Sequence, residues 1–497
     1  MSRRFSGDFK YGAIIVSLCA FILYLKTLAP TVIWGDSAKL AIFVHDIDLS
    51  LLQGHHPLHT VLGVIFSYLP VGDYAYRQNL MSACFGALAV GLVYLILVRW
   101  TGSVIAAIGG ALSLTVSHVF WLLSVINESY TLFAFLMALM IYLMTLWDET
   151  GKYHYLYLAM FTFGVSVSNN YLMPFLLPGF VYLYFTATNR SSLGKLQLPI
   201  LLLAFAAGAA LMLVLAAKSI MSGGNELADL LKGGPFSRFY RSPLKMFREI
   251  LLFPIYLIYQ FLLIGFAVGL IGAWNQFTSN RRFFSFLLLL LLADVVFASG
   301  YMRQKQFYLL IASFIVFSLW VGIGLETLYL WAESRMRKGK IVVLSVTACL
   351  ILFPISFYHS MPLMTEALGI DLVGARKLPY RDNVRFFLVP DKHAEYGAER
   401  FGREVFQIME PNSIIICDFT PITVLRYYQK IHNERKDVWL KLVDFEPLEL
   451  DFVDRHINQR PIYLADNLEP DYNIAKLKTK YDLVPIGPII KIKQKKP

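Results

Sequence analysis

The stretch TVIWGDSAKLAIFVHDIDLSLLQGHHPLHTVLG spans residues 31–63 and follows an apolar run that ends near Leu28. It places the carboxylate of Asp36 just past the first expected membrane span, and a histidine cluster (His55, His56 and His59) lies further along the same stretch. At the boundary between membrane and water, desolvation and nearby charges tune a carboxylate. We therefore expect the polar residues near the membrane to lie on the same side as Asp36.

Composition assigns the chain to the polytopic membrane proteins. Of its 497 residues, 57% are hydrophobic and only 16% are charged, and the apolar residues form runs longer than a soluble domain needs. The net charge of +11 would suit nucleic acid in a soluble chain, but here the basic residues cluster in short loops between apolar runs. We interpret this charge as membrane topology and expect no nucleic-acid partner.

Apolar runs of about 20 residues, the length that crosses the hydrocarbon core, predict about eleven transmembrane helices. The first run, from Tyr11 to Leu28, is long for a signal peptide and is expected to remain as an uncleaved span with a cytoplasmic N-terminus. The other predicted spans are residues 80–98, 104–123, 130–147, 153–167, 171–187, 198–217, 250–271, 283–298, 307–330 and 341–357. Together they define a membrane domain over residues 1–357.

Residues 358–497 are much more polar and, after an odd number of spans, are expected outside the cytoplasm. Strand patterns at residues 413–417, 438–443, 461–465 and 483–492, with a helical pattern at 421–430, predict a small extracytoplasmic α/β domain with a mostly parallel sheet. The tail has no glycine-rich phosphate loop and no metal-ligand spacing, and the four cysteines show no paired spacing. We therefore predict neither a disulfide framework nor a metal site.

Several loops bring ionisable groups to the predicted outer face, where such groups are costly unless they are paired or functional. Asp36 is suited to act as a general base toward an acceptor hydroxyl, and Arg303 or Lys305 to neutralise a phosphate. Their convergence predicts a site in the outer leaflet for a polar headgroup on a lipid carrier. The outer-face set comprises Asp36, His55, His56, His59, Arg77, Asn127, Glu128, Asn169, Asn170, Arg303 and Lys305.

The first of these residues also have structural interpretations. Asp36 and Ser37 could cap a helix that begins near Ala38. The histidines could bind a metal ion, but Pro57 interrupts any helical spacing between them, so hydrogen bonding or a place at the membrane interface is the favoured role.

The other candidates are open to similar alternatives. Glu128 is as well suited to pair with Arg77 as to belong to a site, and Arg303 and Lys305 could simply extend into the lipid headgroups. The loop from Lys218 to Glu249 is basic although it is expected outside. Its charge therefore calls for a reason other than topology, such as phosphate binding.

Short motifs occur in a fixed order along most of the chain. They are Gly35-Asp36-Ser37, Pro57-Leu58 with Thr60 and Gly63, Arg77-Gln78-Asn79-Leu80 with Ser82, Phe120-Trp121 leading to Glu128 and Tyr130, Phe163-Gly164-Val165-Ser166 with Asn169, Asp418 with Thr420, Tyr427 to Gln429, and Arg435-Lys436-Asp437-Val438. In order and spacing they resemble a family of GT-C-type membrane glycosyltransferases that is associated with protein O-mannosylation.

The resemblance implies a GT-C-like fold and a lipid-linked sugar donor, polyprenyl-phosphate mannose, whose sugar is transferred to a hydroxyl of a protein or glycan. Asp36 matches the family's first-loop aspartate and would be the base. The family continues with Ser-Gly-Glu, whereas here Lys39 replaces the second carboxylate. The family's His-Pro-Pro-Gly run has become Gln53-Gly54-His55-His56, and His59 replaces a tyrosine. Lys39 would pair with the donor phosphate or with Asp36.

A single displacement with inversion at the anomeric carbon is the expected mechanism, through an oxocarbenium-like transition state. Asp36 would remove the acceptor proton, and Arg303, Lys305 or the basic loop would stabilise the departing phosphate. Neither a metal nor another cofactor is required when a cation holds a monophosphate leaving group. The substrate-binding candidates are Lys39, His55, His56, His59, Arg77, Glu128, Asn169, Arg303 and Lys305.

Two other functions remain open at this point. The chain could move a lipid-linked sugar across the membrane, although the spans are nearly free of charge apart from Asp294 and show no inverted repeat with broken helices. It could also be a catalytically weak assembly subunit, for which Lys39 is the argument. Sparse cysteines and compact size favour the bacterial cytoplasmic membrane, with the endoplasmic reticulum as the alternative.

Overall fold

A computed structural model describes residues 8–51, 55–170, 172–187, 196–224, 242–301, 306–370, 376–443 and 447–495. Among these residues, helices are the regular elements as far as residue 367, and a small sheet with covering helices follows. The first helices are α1 (Asp8–Lys26), α2 (Asp36–Asp46), α3 (Pro57–Ser67), α4 (Tyr74–Thr101), α5 (Val104–Thr115), α6 (His118–Ser124), α7 (Tyr130–Thr150), α8 (Tyr153–Val167), α9 (Leu172–Phe175), α10 (Leu177–Thr186), α11 (Gln197–Gly208) and α12 (Ala210–Met221). They are followed by α13 (Pro243–Ser279), α14 (Arg281–Gly300), α15 (Gln306–Leu309), α16 (Ile311–Arg335) and α17 (Gly339–Ala367).

The membrane part confirms the prediction of a polytopic helical protein. Among the described residues, α4, α7, α13, α14, α16 and α17 are long and apolar enough to cross a membrane. Two bent pairs, α5 with α6 and α11 with α12, turn by 68° and 71° and raise this number to eight if each pair is one span. Each predicted span falls on one helix or on two consecutive helices. Fewer than eleven meet the length criterion because α8, α9 and α10 are too short and only Tyr11–Lys26 of α1 counts toward it.

Glycines allow two of the membrane helices to approach closely. A Cβ built on Gly272 of α13 would lie 1.8 Å from the carbonyl oxygen of Trp320 in α16, and one built on Gly324 of α16 would lie 2.0 Å from the carbonyl oxygen of Val268 in α13. Small residues of this kind let helix backbones pack in contact inside a membrane. The glycines therefore let the two backbones touch, beside the aromatic contacts of Phe261 and Phe266 with Phe317.

The tail forms the predicted α/β domain. Its five strands have the order β2-β1-β3-β5-β4, with β1 parallel to β2 and β3, and β5 antiparallel to β3 and β4. Half of the strand pairs are antiparallel, so the expectation of a mostly parallel sheet is only partly met. The elements are α18 (Asn383–Leu388), α19 (Gly397–Ile408), β1 (Ile414–Cys417), α20 (Phe419–Ile431), β2 (Trp439–Leu442), α21 (Leu450–His456), β3 (Ile462–Leu464), α22 (Ile474–Lys480), β4 (Tyr481–Ile486) and β5 (Ile489–Gln494).

The run predicted as one strand at residues 483–492 is two strands. Gly487 adopts a φ of 55°, in the left-handed region that glycine enters without a steric penalty, and the chain turns back there between β4 and β5. The last membrane helix, α17, continues to Ala367 and so passes the predicted domain boundary at residue 357. The division of the chain at that residue stays a prediction.

The tail packs directly on the first loop of the membrane domain. Helix α20 lies against α2, and the hydroxyl of Tyr427 accepts a hydrogen bond from the backbone N–H of Ala75 at 3.1 Å. The ammonium of Lys430 binds the carboxylate of Asp46 at the end of α2. These contacts bring the tail to the stretch that contains Asp36.

Candidate functional site

Helix α2 presents one half-exposed face made of Asp36, Lys39 and Phe43, while most of its other residues are buried. Their spacing of three and four residues places the three side chains on one side of the helix. The helix begins at Asp36 after Gly35, whose φ of 80° favours glycine, and no side chain caps it. The capping role considered for Asp36 and Ser37 is therefore wrong. The Asp36 carboxylate has no hydrogen bond or salt bridge to any residue that the structure describes.

Aromatic rings from two parts of the chain surround Lys39. Its ammonium lies 5.1 Å from the ring centre of Phe43 and 6.0 Å from that of Phe419, the first residue of α20. A cation over the face of an aromatic ring is attracted electrostatically. The tail thus contributes directly to the surroundings of the α2 face.

Two of the three histidines hold neighbouring loops in place. The buried ring of His55 stacks on Phe43 with 3.9 Å between ring centres, and its Nε2 lies 3.2 Å from Asp48. The Nδ1 of His56 lies 2.5 Å from the carbonyl oxygen of Asn169. Burial lowers the pKa of His56 to about 4, so the ring is neutral at pH 7 and can only exchange hydrogen bonds.

The third histidine, His59, is buried in α3 beside Asn127. Among the described residues, no group of three or more histidine, cysteine, aspartate or glutamate side chains is arranged to hold a metal ion. Hydrogen bonding accounts for the positions of His55 and His56, as the sequence favoured.

One amide side chain attaches a further loop to the beginning of α2, and a second joins that loop to the loop after α8. The Nδ2 of Asn127 donates to the carbonyl oxygen of Ser37 at 3.1 Å, and the Nδ2 of Asn169 donates to that of Ser129 at 3.1 Å. Between them, the backbone N–H of Glu128 donates to the hydroxyl of Ser82 at 3.2 Å. The structure therefore brings Asp36, Lys39, His56, Glu128 and Asn169 together from three loops. The face of the membrane on which they lie stays a prediction.

A cavity lies beside this group, and its polar lining comes from four segments of the chain. Ser37, the neighbour of Asp36 in α2, and Glu128 both line it, so Asp36 lies next to the cavity. The cavity is lined by Ile33, Trp34, Ser37, Leu122, Ile126, Glu128, Tyr308, Phe386 and Lys392. Lys392 comes from the tail and, like Trp34 and Tyr308, is absent from the set predicted from sequence.

The remaining predicted residues lie elsewhere or outside the described ranges. The guanidinium of Arg77 donates to the carbonyl oxygens of Ser67, Val71 and Gly72 in the connection between α3 and α4, and none of these bonds involves Glu128. Arg77 therefore stabilises that connection. Arg303 and Lys305 lie outside the described residues, as do the basic side chains at 232, 238 and 241 of the loop after α12.

A second polar cluster, in the tail, occupies the carboxyl edge of the parallel strands. Asp418 follows β1 and caps α20 by accepting a hydrogen bond from the backbone N–H of Thr420 at 3.0 Å. The guanidinium of Arg376 donates to both oxygens of Asp418 and to Asp466, which follows β3. The motif of Asp418 and Thr420 thus marks the start of α20. The partner of Asp418, Arg376, could not be identified from spacing because the two residues lie far apart in the sequence.

Part of the chain matches a known family of membrane proteins. Residues 52–193 match the model of the protein O-mannosyl-transferase TMEM260 N-terminal domain. Protein O-mannosyl-transferase TMEM260 of Mus musculus is 26% identical over 213 residues, which cover 41% of this chain and 30% of that protein. The Dictyostelium discoideum protein of the same description is 20% identical over 92% of this chain and 64% of its own length. The chain therefore spans less than two thirds of the length of either relative.

The architecture matches solved structures along nearly its whole length. ArnT from Cupriavidus metallidurans bound to undecaprenyl phosphate superposes with a TM-score of 0.61 at 14% identity, covering 97% of both chains. An oligosaccharyltransferase of Archaeoglobus fulgidus gives 0.50 at 14% identity, covering 97% of this chain and 73% of the other. The GT-C-like fold expected from the sequence is confirmed, and the family matches confirm the resemblance from which it was inferred.

Proposed function

We propose that this integral membrane protein, which resembles the GT-C-type family associated with protein O-mannosylation, is a glycosyltransferase. It transfers a mannosyl group from a polyprenyl-phosphate carrier to a hydroxyl of a protein or glycan acceptor. The observation that carries the proposal is the partly exposed carboxylate of Asp36, which lies at the start of α2 beside a cavity lined by Glu128 and Lys392. The relatives' description as protein O-mannosyl-transferases supports the choice of sugar and acceptor.

The reaction is a single displacement at the anomeric carbon. The acceptor oxygen forms a bond to this carbon as Asp36 takes the hydroxyl proton, and the bond between the carbon and the phosphate oxygen breaks. The phosphate leaves on the lipid with the bonding electron pair, and the configuration inverts. Positive charge builds up on the sugar ring in the transition state and negative charge on the departing phosphate.

Other residues of the site fit binding roles in this reaction. Glu128 presents a carboxylate to the cavity, and the buried amide oxygen of Asn169 has no hydrogen-bond donor among the described residues. Both are acceptors suited to sugar hydroxyls. Lys39, on the same face as Asp36, supplies positive charge where the resembling family has a carboxylate. We assign it to the phosphate side of the donor.

Topology supports a catalytic face opposite the cytoplasm, because the basic loops at Arg99, Lys152 and Arg281 lie at the other ends of their helices. The eukaryotic relatives favour the endoplasmic reticulum, whereas composition favours a bacterial cytoplasmic membrane. In either membrane the donor's lipid tail stays in the bilayer and its sugar reaches the Asp36 face.

The proposal is tested by transfer of labelled mannose from polyprenyl-phosphate mannose to a mixed membrane-protein acceptor by the purified full chain in detergent. Asp36→Asn keeps the side-chain size and removes the base, so transfer should fall by about 10²-fold or more. Asp451→Asn, which makes the same change at an exposed aspartate of α21, is the matched control and should retain transfer. Equal transfer by wild type and Asp36→Asn would refute Asp36 as the base. Movement of the lipid-linked sugar without bond formation would identify a transporter instead.

A further inference from the structure

The cavity beside α2 contains two buried hydrogen-bond donors from distant parts of the chain. Lys392 is only 2% exposed and belongs to the segment between α18 and α19, which we call the strap (residues 389–395). Trp34 is 3% exposed and lies in the loop before α2. Both line the cavity together with Ser37 and Glu128.

The strap is fixed against the membrane domain. The backbone N–H of Lys392 donates to the carbonyl oxygen of Thr27 at the end of α1 at 2.9 Å. The adjacent Asp391 binds the rings of His359 in α17, at 3.1 Å, and of His393, at 2.7 Å. The position of the Lys392 side chain is therefore set by the membrane helices as well as by the tail.

Lys392 has no carboxylate at salt-bridge distance among the residues that the structure describes. Its ammonium donates to the carbonyl oxygens of Val389 and Arg385, which leaves one of its three N–H groups for another acceptor. Burial lowers the pKa of Lys392 to about 8, because the charged form is disfavoured away from water. A buried cation of this kind is stabilised when an anion enters beside it.

Trp34 provides the second, independent observation. Its indole N–H is buried and has no hydrogen-bond partner among the described residues. Indole can donate a hydrogen bond but cannot accept one, so only an acceptor atom can satisfy this group. A buried ammonium and an unpaired N–H donor that line the same cavity form a suitable environment for phosphate oxygens.

We propose that Lys392 and Trp34 bind the phosphate of the lipid carrier, so that the tail completes the donor site. This inference rests on the proposed function and names the groups that hold the leaving phosphate. Glu128, in the same cavity, would repel a phosphate and accept hydrogen bonds from sugar hydroxyls instead. The arrangement therefore separates the phosphate end of the donor from its sugar end. The ammonium stays charged as the phosphate departs and stabilises the charge that develops on it.

The test compares equilibrium binding of undecaprenyl phosphate and of undecaprenol, the uncharged alcohol, to the purified full chain in detergent. Wild type should prefer the phosphate by at least about tenfold, as expected for charge-assisted hydrogen bonds. Lys392→Gln and Lys392→Met should reduce this preference to about twofold or less, and Trp34→Phe should reduce it severalfold while keeping an aromatic ring. Affinity for the alcohol should not change. Lys476→Met and Trp439→Phe alter exposed residues of the tail and serve as matched controls.

Each result supports or overturns the assignment. A phosphate preference that survives both Lys392 variants, or that wild type lacks, would overturn it. Binding of inorganic phosphate that depends on Lys392, without a preference for the lipid phosphate, would overturn the carrier as ligand. If the phosphate preference depends on Lys392 but wild type transfers no mannose, the proposed function fails and the phosphate site stands. If wild type transfers mannose and the variants keep their preference, the function stands and this inference fails.

Discussion

Asp418 shows how a single carboxylate joins several segments of the tail. Arg376 donates to it at 2.7 Å, the hydroxyl of Tyr472 donates at 2.7 Å, and the backbone N–H of Thr420 donates at 3.0 Å. Burial alone would raise the pKa of Asp418, but the hydrogen bonds and the positive charge of Arg376 outweigh it and lower the pKa. The charged form is therefore the one that the folded tail prefers.

This preference predicts a loss of tail stability in acid. The pKa of Asp418 is lower in the folded tail than in the unfolded chain, where it is near 4. Its contribution to the stability of the tail is therefore complete above the unfolded pKa and is lost as the pH falls through the folded pKa. Hydrogen exchange of the α20 amides in the full chain should accelerate over this range.

Arg376→Met should remove much of this pH dependence and lower the free energy of unfolding of the tail at pH 7 by about 3–5 kcal/mol, because it leaves Asp418 buried without its cation. Arg400→Met, which removes an exposed guanidinium from α19, is the control. Unchanged α20 exchange in Arg376→Met at pH 7 would contradict the assignment.

At this scale the sequence pointed to some residues of the proposed site and missed others for a definite reason. Asp36, Glu128 and Asn169 could be predicted because each follows or precedes an apolar run and must lie at the membrane surface. Lys392 could not, because it lies in a polar tail where a lysine carries no signal. Its importance comes from burial against residues hundreds of positions earlier, which no local pattern reports.

At the level of elements, the pair α13 and α16 depends on glycines at a backbone contact. A methyl group on Gly272 would collide with the carbonyl oxygen of Trp320, and neither backbone can yield without moving its helix. Gly272→Ala should therefore destabilise the membrane domain by about 1–3 kcal/mol, the usual cost of overpacking.

The measurement is the midpoint of thermal unfolding of the full chain in detergent. Ala267→Leu enlarges an exposed residue of the same helix and should leave the midpoint nearly unchanged. Equal effects of the two substitutions would mean that the close approach of α13 and α16 does not limit stability.

Apolar runs located most elements correctly, and the departures have physical causes. Helix α3 begins with Pro57 at its first position, where proline is well tolerated, but its eleven residues are too few to be recognised as a span. The hairpin of β4 and β5 was predicted as one strand because both halves are apolar and only the φ of Gly487 reverses the chain. The sequence thus predicts segments better than the points at which they turn.

Across the whole molecule, one buried hydrogen bond and one exposed ion pair connect the tail to the membrane domain at α20. Tyr427 accepts the N–H of Ala75, which lies in the first turn of α4 and has no partner within that helix. Lys430 binds Asp46, and both side chains of this pair are largely accessible to water. Their contributions to docking should therefore differ.

Tyr427→Phe should weaken docking by about 1–3 kcal/mol because it leaves a buried N–H unsatisfied, whereas Lys430→Met should cost about 1 kcal/mol or less. Faster hydrogen exchange in both α2 and α20 would report the loss of docking. A larger effect of Lys430→Met than of Tyr427→Phe would show that charge, rather than the buried hydrogen bond, holds the two parts together.

The order of synthesis gives the strap a further consequence. The loop that contains Asp36 is synthesised early. Lys392 can line the cavity only after the chain has been extended past residue 395 and the strap has contacted Thr27. Until then a nascent chain has the proposed base but lacks the cation proposed to hold the carrier phosphate. If both proposals hold, the growing polypeptide cannot consume donor, and turnover begins only once the tail has folded against the membrane domain.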